Sequence, residues 1–274
     1  MKKTIILLLF ICIISCKKEE ANNIPSYITI ENIILNNNST HNITDAWVYI
    51  DDTPAGVYEL PANFPVLEEG KHKVRIRAGI KENGISGTRI PYPFYASFII
   101  EELIFDKTTT TMINPVVSYL ENTILDDQSE DFDGNGLNLE SDSTTFSIEN
   151  TNSLDGNYGT ITLKDSILLG EVITKEFANL PQQQAPVYLE IDYKCNTRFL
   201  VGVYINFPQS SILQKDLVWI NPKENWNKIY VNLTSTITEA VGADSFKIFI
   251  KTQRDFSLEK NTICFDNLKV VYQY

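Results

Sequence analysis

The chain has 274 residues and a formal net charge of −12 at pH 7, from 35 acidic and 23 basic residues. This excess of acids argues against a protein that binds nucleic acid through its phosphates, because such binding requires clustered lysine and arginine. The length is sufficient for two domains of about 100–150 residues each.

The first fifteen residues have the pattern of a signal peptide. Lys2 and Lys3 precede an apolar run, residues 4–12, that is shorter than the roughly 20 residues needed to cross a bilayer core. The segment Ile13-Ile14-Ser15-Cys16 then resembles the lipobox of bacterial lipoproteins. The resemblance implies cleavage before Cys16 and lipidation of its thiol, and two or more acyl chains anchor a protein stably. The alternative is an ordinary secreted protein with an incidental cysteine.

The residues after Cys16 bear on location. Lys17, Lys18, Glu19 and Glu20 resemble the export signal of surface lipoproteins in Bacteroidota. The resemblance implies a lipid-anchored outer-membrane protein that faces outward. The alternative is that residues 16–25 form only a solvated tether.

After the tether the chain is predicted to be all-β, because short alternating or β-branched runs are separated by Gly, Pro, Asn and Asp. In the first predicted domain, residues 26–120, strands are expected at 27–33, 46–50, 72–77 and 96–105. In the second, residues 121–274, they are expected at 144–149, 158–163, 187–194, 198–206, 216–220, 227–232, 246–251 and 262–272. Only residues 234–241 suggest one or two helical turns.

Residues 46–77 contain a recognisable pattern. An apolar strand leads into Asp51-Asp52, and Gly70 precedes His72 and a second strand. This pattern resembles the PEGA-type surface module and implies a small β-sandwich, although the family often has Asp-Gly in the first turn. His72 has no partner at metal-ligand spacing, so we expect it to pack or to bond to a turn.

The loop of residues 79–95 is rich in aromatic residues and contains Arg89, Tyr92, Phe94 and Tyr95. Exposed aromatic clusters are costly, and Tyr and Arg are enriched at protein interfaces. The loop is therefore expected either to bind a partner, such as another outer-membrane protein, or to pack against the second domain.

The second domain resembles the galactose-binding-like, carbohydrate-binding-module type of β-sandwich. The resemblance rests on three strand segments, residues 187–194, 226–233 and 263–270, and implies a jelly-roll fold. It places Trp226 in the core. Of the other aromatic residues, Tyr204 and Phe207 are the better candidates for stacking on a sugar ring and Trp219 is a further one; each could instead belong to the core.

One acidic segment is a near match to a calcium loop, with Asp131, Asp133 and a following glycine at the usual spacing. Asp142 replaces the usual Glu at the twelfth position and no helices flank the loop, so an EF-hand is not expected. The resemblance to sandwich modules implies instead a structural Ca²⁺ held by Asp266 with Glu130, Asp131 or Asp133. The alternative is a solvated acidic turn.

The sequence gives little support for catalysis, so we predict that the protein is not an enzyme. Neither histidine lies near a nucleophile motif, and zinc-binding and phosphate-binding motifs are missing. Cys195 and Cys264 could pair in an oxidising compartment or remain buried thiols. Ser166 and Ser143, each after an aspartate, resemble O-glycosylation sites of Bacteroidota envelope proteins.

Two functions follow from these observations. The favoured one is a non-catalytic interaction or scaffold subunit of an outer-membrane complex for uptake, secretion or β-barrel assembly, because of the loop 79–95. The alternative is a surface glycan-binding lipoprotein that uses the second sandwich, because of the resemblance of residues 121–274.

Overall fold

The computed structural model describes residues 24–36, 39–126, 128–134, 136–209 and 211–274. The predicted signal peptide, the lipidation site Cys16 and the export signal 17–20 lie outside the described residues. The described part is almost entirely β-strand, with one short helix, α1 (Thr234–Glu239). The all-β prediction is therefore confirmed. Within the described ranges, no helix is long and apolar enough to cross a membrane.

The first half forms a small β-sandwich. Its strands are β1 (Ser26–Ile30), β2 (Ile34–Leu35), β3 (Asp45–Ile50), β4 (Thr53–Glu59), β5 (Ala62–Val66), β6 (Gly70–Lys81), β7 (Arg89–Pro91), β8 (Phe98–Phe105), β9 (Thr110–Met112) and β10 (Val116–Val117). One sheet has the order β5-β1-β9, and the other has the order β4-β3-β6-β7 with β8 also paired to β6. A parallel pair, β10-β2, completes the half. Ile28, Phe64 and Ile76 belong to its buried core.

The turn between β3 and β4 explains the role of His72. Asp51 and Asp52 both have positive φ angles, as a two-residue type I′ hairpin turn requires. His72 Nδ1 lies 2.7 Å from Asp51 Oδ2, and its Nε2 lies 3.1 Å from the carbonyl oxygen of Glu69. The bond to Asp51 raises the pKa of His72. The expected turn-bonding role is confirmed.

The second half forms two facing sheets. Its strands are β11 (Ile124–Leu125), β12 (Leu139–Ser141), β13 (Phe146–Glu149), β14 (Tyr158–Leu163), β15 (Leu169–Thr174), β16 (Val187–Cys195), β17 (Phe199–Asn206), β18 (Leu213–Ile220), β19 (Lys223–Asn232), β20 (Ser245–Gln253) and β21 (Asn261–Tyr272). The interface sheet has the order β13-β14-β21-β16-β19, with β11 also paired to β21. The open sheet has the order β12-β15-β20-β17-β18. The chain passes repeatedly between the sheets, so the predicted jelly-roll sandwich is confirmed.

The interface sheet packs its outer face against the first half, and the aromatic loop lies in this contact. Tyr92, Phe94 and Tyr95 are all buried. The Tyr92 ring centroid lies 5.5 Å from that of Tyr188 and 4.8 Å from that of Tyr230, both on the interface sheet. The prediction that these three loop residues bind an external partner is therefore wrong, because their side chains are enclosed between the two halves.

Arg89, the fourth residue predicted to bind a partner, is also engaged within the chain. Its guanidinium donates to the buried carboxylate of Asp45, and a second nitrogen lies 3.0 Å from Glu59 Oε1. Both carboxylates raise the pKa of Arg89. Arg89 thus fixes the end of β7 to β3 and β4 instead of presenting a free cation.

Buried polar groups join the halves as well. Glu190, on β16, accepts hydrogen bonds from the hydroxyls of Tyr92 (2.7 Å) and Tyr119 (2.8 and 2.9 Å). Lys228 Nζ lies 3.2 Å from Asp192 Oδ2 and 3.7 Å from Glu190 Oε2. The first half therefore supplies hydroxyl donors to a carboxylate that would otherwise be buried with incomplete hydrogen bonding. The predicted boundary near residue 120 stays a prediction.

The two cysteines are buried free thiols. Cys195 pairs in register with Ile263, and Cys264 pairs with Lys194, so the two cysteines occupy opposite faces of the interface sheet. Cys195 belongs to the sandwich core, where burial raises its pKa to about 11. Of the two possibilities open from sequence, the structure has the unpaired thiols.

Candidate functional site

Tyr204, a predicted sugar-stacking residue, lies on the outer face of the open sheet. Its ring centroid is 4.7 Å from that of Phe249, and its hydroxyl donates a 2.9 Å hydrogen bond to Glu171. Lys251 Nζ lies 3.0 Å from the same carboxylate. Burial and Glu171 raise the pKa of Tyr204. The ring is half-buried and its hydroxyl is already bonded, so little of it is available to a ligand.

The structure places Phe207 against the sandwich core and Trp226 outside it. Phe207 is half-buried and packs against the sandwich core. Trp226 lies outside that core: its indole N–H donates to the Asn152 carbonyl (3.1 Å), and its ring contacts Tyr158 and Lys194. The prediction that Trp226 fills the core is wrong, because β19 directs it to the outer side of the interface sheet.

A cleft of about 540 Å³ opens at one end of the second sandwich. It lies among three connections, β16–β17, β18–β19 and β20–β21. Its lining combines aromatic, amide and charged side chains, chiefly Arg198, Trp219, Asn221, Gln253, Arg254 and Phe256. Concave sites with aromatic surface and a few polar groups are the usual form of small-ligand sites.

Trp219 forms one aromatic side of this cleft. The alternation of β18 directs Ile220 into the core and Trp219 outward, where 42% of it is exposed. The guanidinium carbon of Arg198 lies 4.8 Å from the indole centroid, a cation–π contact. Trp219 was considered from sequence only as one of several aromatic residues, and its exposure distinguishes it.

Phe256 forms the second aromatic side and is 72% exposed. Its loop is held by Arg254, whose guanidinium donates to the carbonyl oxygens of Asp255, Leu258 and Glu259, each at 2.8 Å. The same guanidinium lies 5.5 Å from the Phe256 ring centroid. Arg254 thus fixes the loop that presents Phe256. No pattern in the sequence singled out this loop.

The cleft is continuous with the face that carries Tyr204. Leu200 pairs in register with both Trp219 and Lys251, and Tyr204 follows four residues later on β17, roughly 13 Å away. The predicted residue and the cleft therefore belong to one side of the open sheet, with the exposed aromatic surface at the cleft end.

The predicted calcium ligand Glu130 has a structural role. Its two carboxylate oxygens accept hydrogen bonds from the backbone N–H groups of Phe132 (2.8 Å) and Asn138 (2.6 Å), and the residue is only 3% exposed. These bonds do not exclude a further ligand on the same oxygens, so the inclusion of Glu130 in the predicted calcium site stays a prediction.

Asp266 is buried near other acids. Only 2% of it is exposed, and its Oδ1 accepts a 2.7 Å hydrogen bond from the backbone N–H of Asn267. Burial, reinforced by the charges of Asp192, Asp133 and Asp131, raises the pKa of Asp266 to about 7. Among the described residues, no group of three or more His, Cys, Asp or Glu side chains is placed to hold a metal ion. The calcium site stays a prediction.

Both predicted glycosylation sites lie in exposed turns. Ser166 follows Asp165, which has a positive φ of 50°, and Ser143 follows Asp142, whose carboxylate accepts a 2.8 Å bond from the Thr144 N–H. Exposure leaves both hydroxyls accessible, and their modification stays a prediction.

Comparison with known proteins gives structural similarities only. No family model and no curated protein matches the chain. Similar solved structures include the CBM22-2 and CBM22-1 xylan-binding domains of Xyn10C from Paenibacillus barcinonensis. The former is 13% identical with a TM-score of 0.39 over 53% of this chain and 98% of that domain; the latter is 9% identical with a TM-score of 0.41 over 53% and 92%.

A family 11 carbohydrate-binding module from Clostridium thermocellum, solved with a β-1,3-1,4-mixed-linked tetrasaccharide, is also similar. It is 13% identical, with a TM-score of 0.37 over 54% of this chain and 94% of that module. At these values the similarity assigns no ligand to this chain.

Proposed function

We propose that this protein is a non-catalytic glycan-binding protein whose binding site is the cleft between Trp219 and Phe256. The observation that supports the proposal is the pair of exposed aromatic rings at one cleft, each beside a guanidinium. Exposed rings are costly unless a ligand covers them. A sugar ring offers an apolar face to an aromatic surface and hydroxyls to the surrounding amide and guanidinium groups.

The charges of the cleft favour binding without hydrolysis. A glycosidase generally needs two carboxylates at a fixed separation across the scissile bond. Of the described residues that line the cleft, Asp255 alone carries a carboxylate. We therefore propose a binding function for this site and not a hydrolytic one.

The role as an interaction subunit of an outer-membrane complex now has less support. It depended on the loop 79–95, whose aromatic side chains are buried against the chain's own second sandwich. We therefore propose glycan binding in preference to this role.

Binding to polysaccharides tests the proposed function. We expect saturable binding of the purified protein on a glycan array, reduced at least tenfold in Trp219→Ala and in Phe256→Ala, because each change removes a stacking surface. Tyr274→Ala is the matched control, because its ring is about as exposed as that of Phe256 and it follows the end of β21 opposite to the cleft, roughly 35 Å along the strand from Asn261. Equal binding by all three variants, or none by the wild type, would contradict the proposal.

We further propose that the protein is held at the outer membrane by lipid on Cys16 and faces outward. The lipobox-like residues 13–16 and the following export-like residues 17–20 support this. In the native host, Cys16→Ala is expected to move the protein from the detergent phase to the aqueous phase in a detergent phase-partition assay. Mass spectrometry of the N-terminal peptide is expected to show no acyl group on the variant. Protease treatment of intact cells tests surface exposure. A wild-type protein that carries no acyl chain would exclude the anchor.

A further inference from the structure

Arg198 presents a guanidinium to the cleft, where its charge acts on the nearby Asp255 without forming a salt bridge. The residue is exposed on the β16–β17 connection and lies against the Trp219 ring. Within the described part of the chain, no carboxylate oxygen lies within the 4.0 Å of an ion pair with it. A guanidinium stacked on an indole keeps the N–H groups at its edge directed toward solvent or ligand.

The other charged groups of the cleft are already engaged. Arg254 donates its Nη N–H groups to carbonyl oxygens of its own loop, and Asp255 Oδ1 accepts bonds from the N–H (2.9 Å) and hydroxyl (2.7 Å) of Ser257. Among the described residues that line the cleft, Arg198 is therefore the cation whose N–H groups remain available to a ligand. It is an exposed cation in a chain with a net charge of −12.

We propose that Arg198 makes this cleft selective for acidic glycans, in which a sugar ring carries a carboxylate. The inference rests on the proposed function. Arg198 covers part of the indole, so a sugar ring that contacts Phe256 and the exposed part of Trp219 lies beside the guanidinium edge. The planar fork of a guanidinium matches a carboxylate with two parallel hydrogen bonds, and such charge-assisted pairs are about twice as strong as neutral ones.

Matched ligands test the selectivity directly. Polygalacturonate, alginate and hyaluronate are compared with the same polymers after chemical reduction of their carboxylates to alcohols, and dextran sulfate tests a sulfate as the anionic group. We expect the wild type to bind at least one carboxylated polymer at least tenfold more tightly than its reduced form. That preference is expected to weaken with salt, because exposed charges are screened.

Variants of Arg198 separate the fork from the charge. Arg198→Gln is expected to abolish the preference for the carboxylated polymer, measured as the ratio of its affinity to that of the reduced form, so that any loss common to both polymers cancels. Arg198→Lys keeps the charge but loses the fork, and an intermediate preference is expected. Lys71→Gln, which removes an exposed cation from the first sandwich, is the matched control and is expected to leave the preference unchanged.

The outcomes distinguish this inference from the proposed function. If glycans bind in a Trp219-dependent manner but reduced polymers bind as well as carboxylated ones, the acidic selectivity is overturned and the binding function stands. Tighter binding to dextran sulfate than to any carboxylated polymer also overturns the choice of carboxylate. If no glycan in the array or in these pairs binds, both are overturned.

Discussion

At the scale of single residues, Asp266 carries the clearest electrostatic consequence. It pairs in register with Asp192 across β16 and β21, and like charges in directly opposite positions destabilise a sheet. Lys228 lies beside Asp192 on the other neighbouring strand, so Asp192 has a cationic partner. Asp266 instead holds its proton to a higher pH than an exposed aspartate.

The raised pKa of Asp266 predicts a pH-dependent stability. The pKa is about 7 in the folded protein and near 3.8 when exposed, so the stability contributed by the protonated form is complete below pH 4 and is lost as pH rises through 7. Asp266→Asn mimics the neutral form, so its melting temperature is expected to gain on the wild type between pH 5 and pH 8. Asp106→Asn, an exposed acid, is the control. A difference that does not grow with pH would contradict the assignment.

The same melting-temperature measurements, made with and without calcium, test the calcium prediction. Calcium that raises the melting temperature of the wild type but not of Asp266→Ala would support a site that includes Asp266. Identical melting with calcium and with a chelator would remove it. Because Glu130 is bonded to its own loop, Glu130→Gln is expected to lower the melting temperature whether or not calcium is present.

At the scale of strands and turns, Gly202 explains how the open sheet packs on its outer face. The Phe249 ring lies directly over this glycine, and a Cβ added there would meet the ring at 2.1 Å and the Lys215 carbonyl at 2.6 Å. The missing side chain therefore leaves room for the Phe249 ring, which packs against Tyr204 at an interplanar angle of 41°. The ring is fully buried although it lies outside the sandwich core.

Gly202→Ala is expected to lower the free energy of unfolding by about 1–3 kcal/mol, the usual cost of overpacking. Urea unfolding measures the change. Gly87→Ala is the matched control, because a Cβ there meets no atom within 4 Å. If the two substitutions cost the same, the close approach of Phe249 does not matter for stability.

Alternating patterns predicted most strands of the second sandwich and several of the first. The strands that are not predicted include β4 and β5. They contain Pro54 and Pro65, so sequence patterns do not mark them as strands. Both lie at sheet edges, where proline is tolerated. The strand β15 is not predicted either. It contains Gly170, which is needed there because the Ile161 side chain leaves no room for a Cβ. This requirement comes from β14 in the facing sheet, and local sequence patterns do not contain it.

The candidate site could be predicted only in part. The sequence predicts Tyr204 as a sugar-stacking residue, and Tyr204 lies on the same side of the open sheet as the cleft. It marks Trp219 only as one aromatic candidate among several. Arg198 and Phe256 could not be associated with it, because the cleft is formed by three connections that are far apart in the sequence. Only the jelly-roll topology brings them to one end of the sandwich.

At the scale of the whole molecule, the two halves share a core. Tyr188, Tyr230 and Val271 of the second sandwich belong to the hydrophobic cluster of the first. The loop 79–95 therefore has the alternative role open from sequence, packing against the second domain. Its tyrosines also have raised pKa values, since burial and Glu190 disfavour their ionised forms.

Tyr92→Phe is expected to lower the free energy of unfolding by about 1–3 kcal/mol, because it removes a buried hydrogen bond to the charged Glu190. Tyr204→Phe is the matched control: it also removes a hydroxyl bonded to a glutamate, but at a half-exposed position, so a smaller loss is expected. Denaturant titration of both variants gives the comparison. A loss of unfolding free energy in Tyr92→Phe no greater than in the control would show that this hydrogen bond does not stabilise the contact between the two halves.

The shared core also limits how the gene can be divided. A fragment cut near residue 120 would leave Glu190 without its tyrosine hydroxyls and would uncover Tyr188, Tyr230 and the end of β21. Such a fragment is expected to expose an apolar surface that also carries Glu190, and to self-associate, so residues 121–274 are best expressed together with the first sandwich.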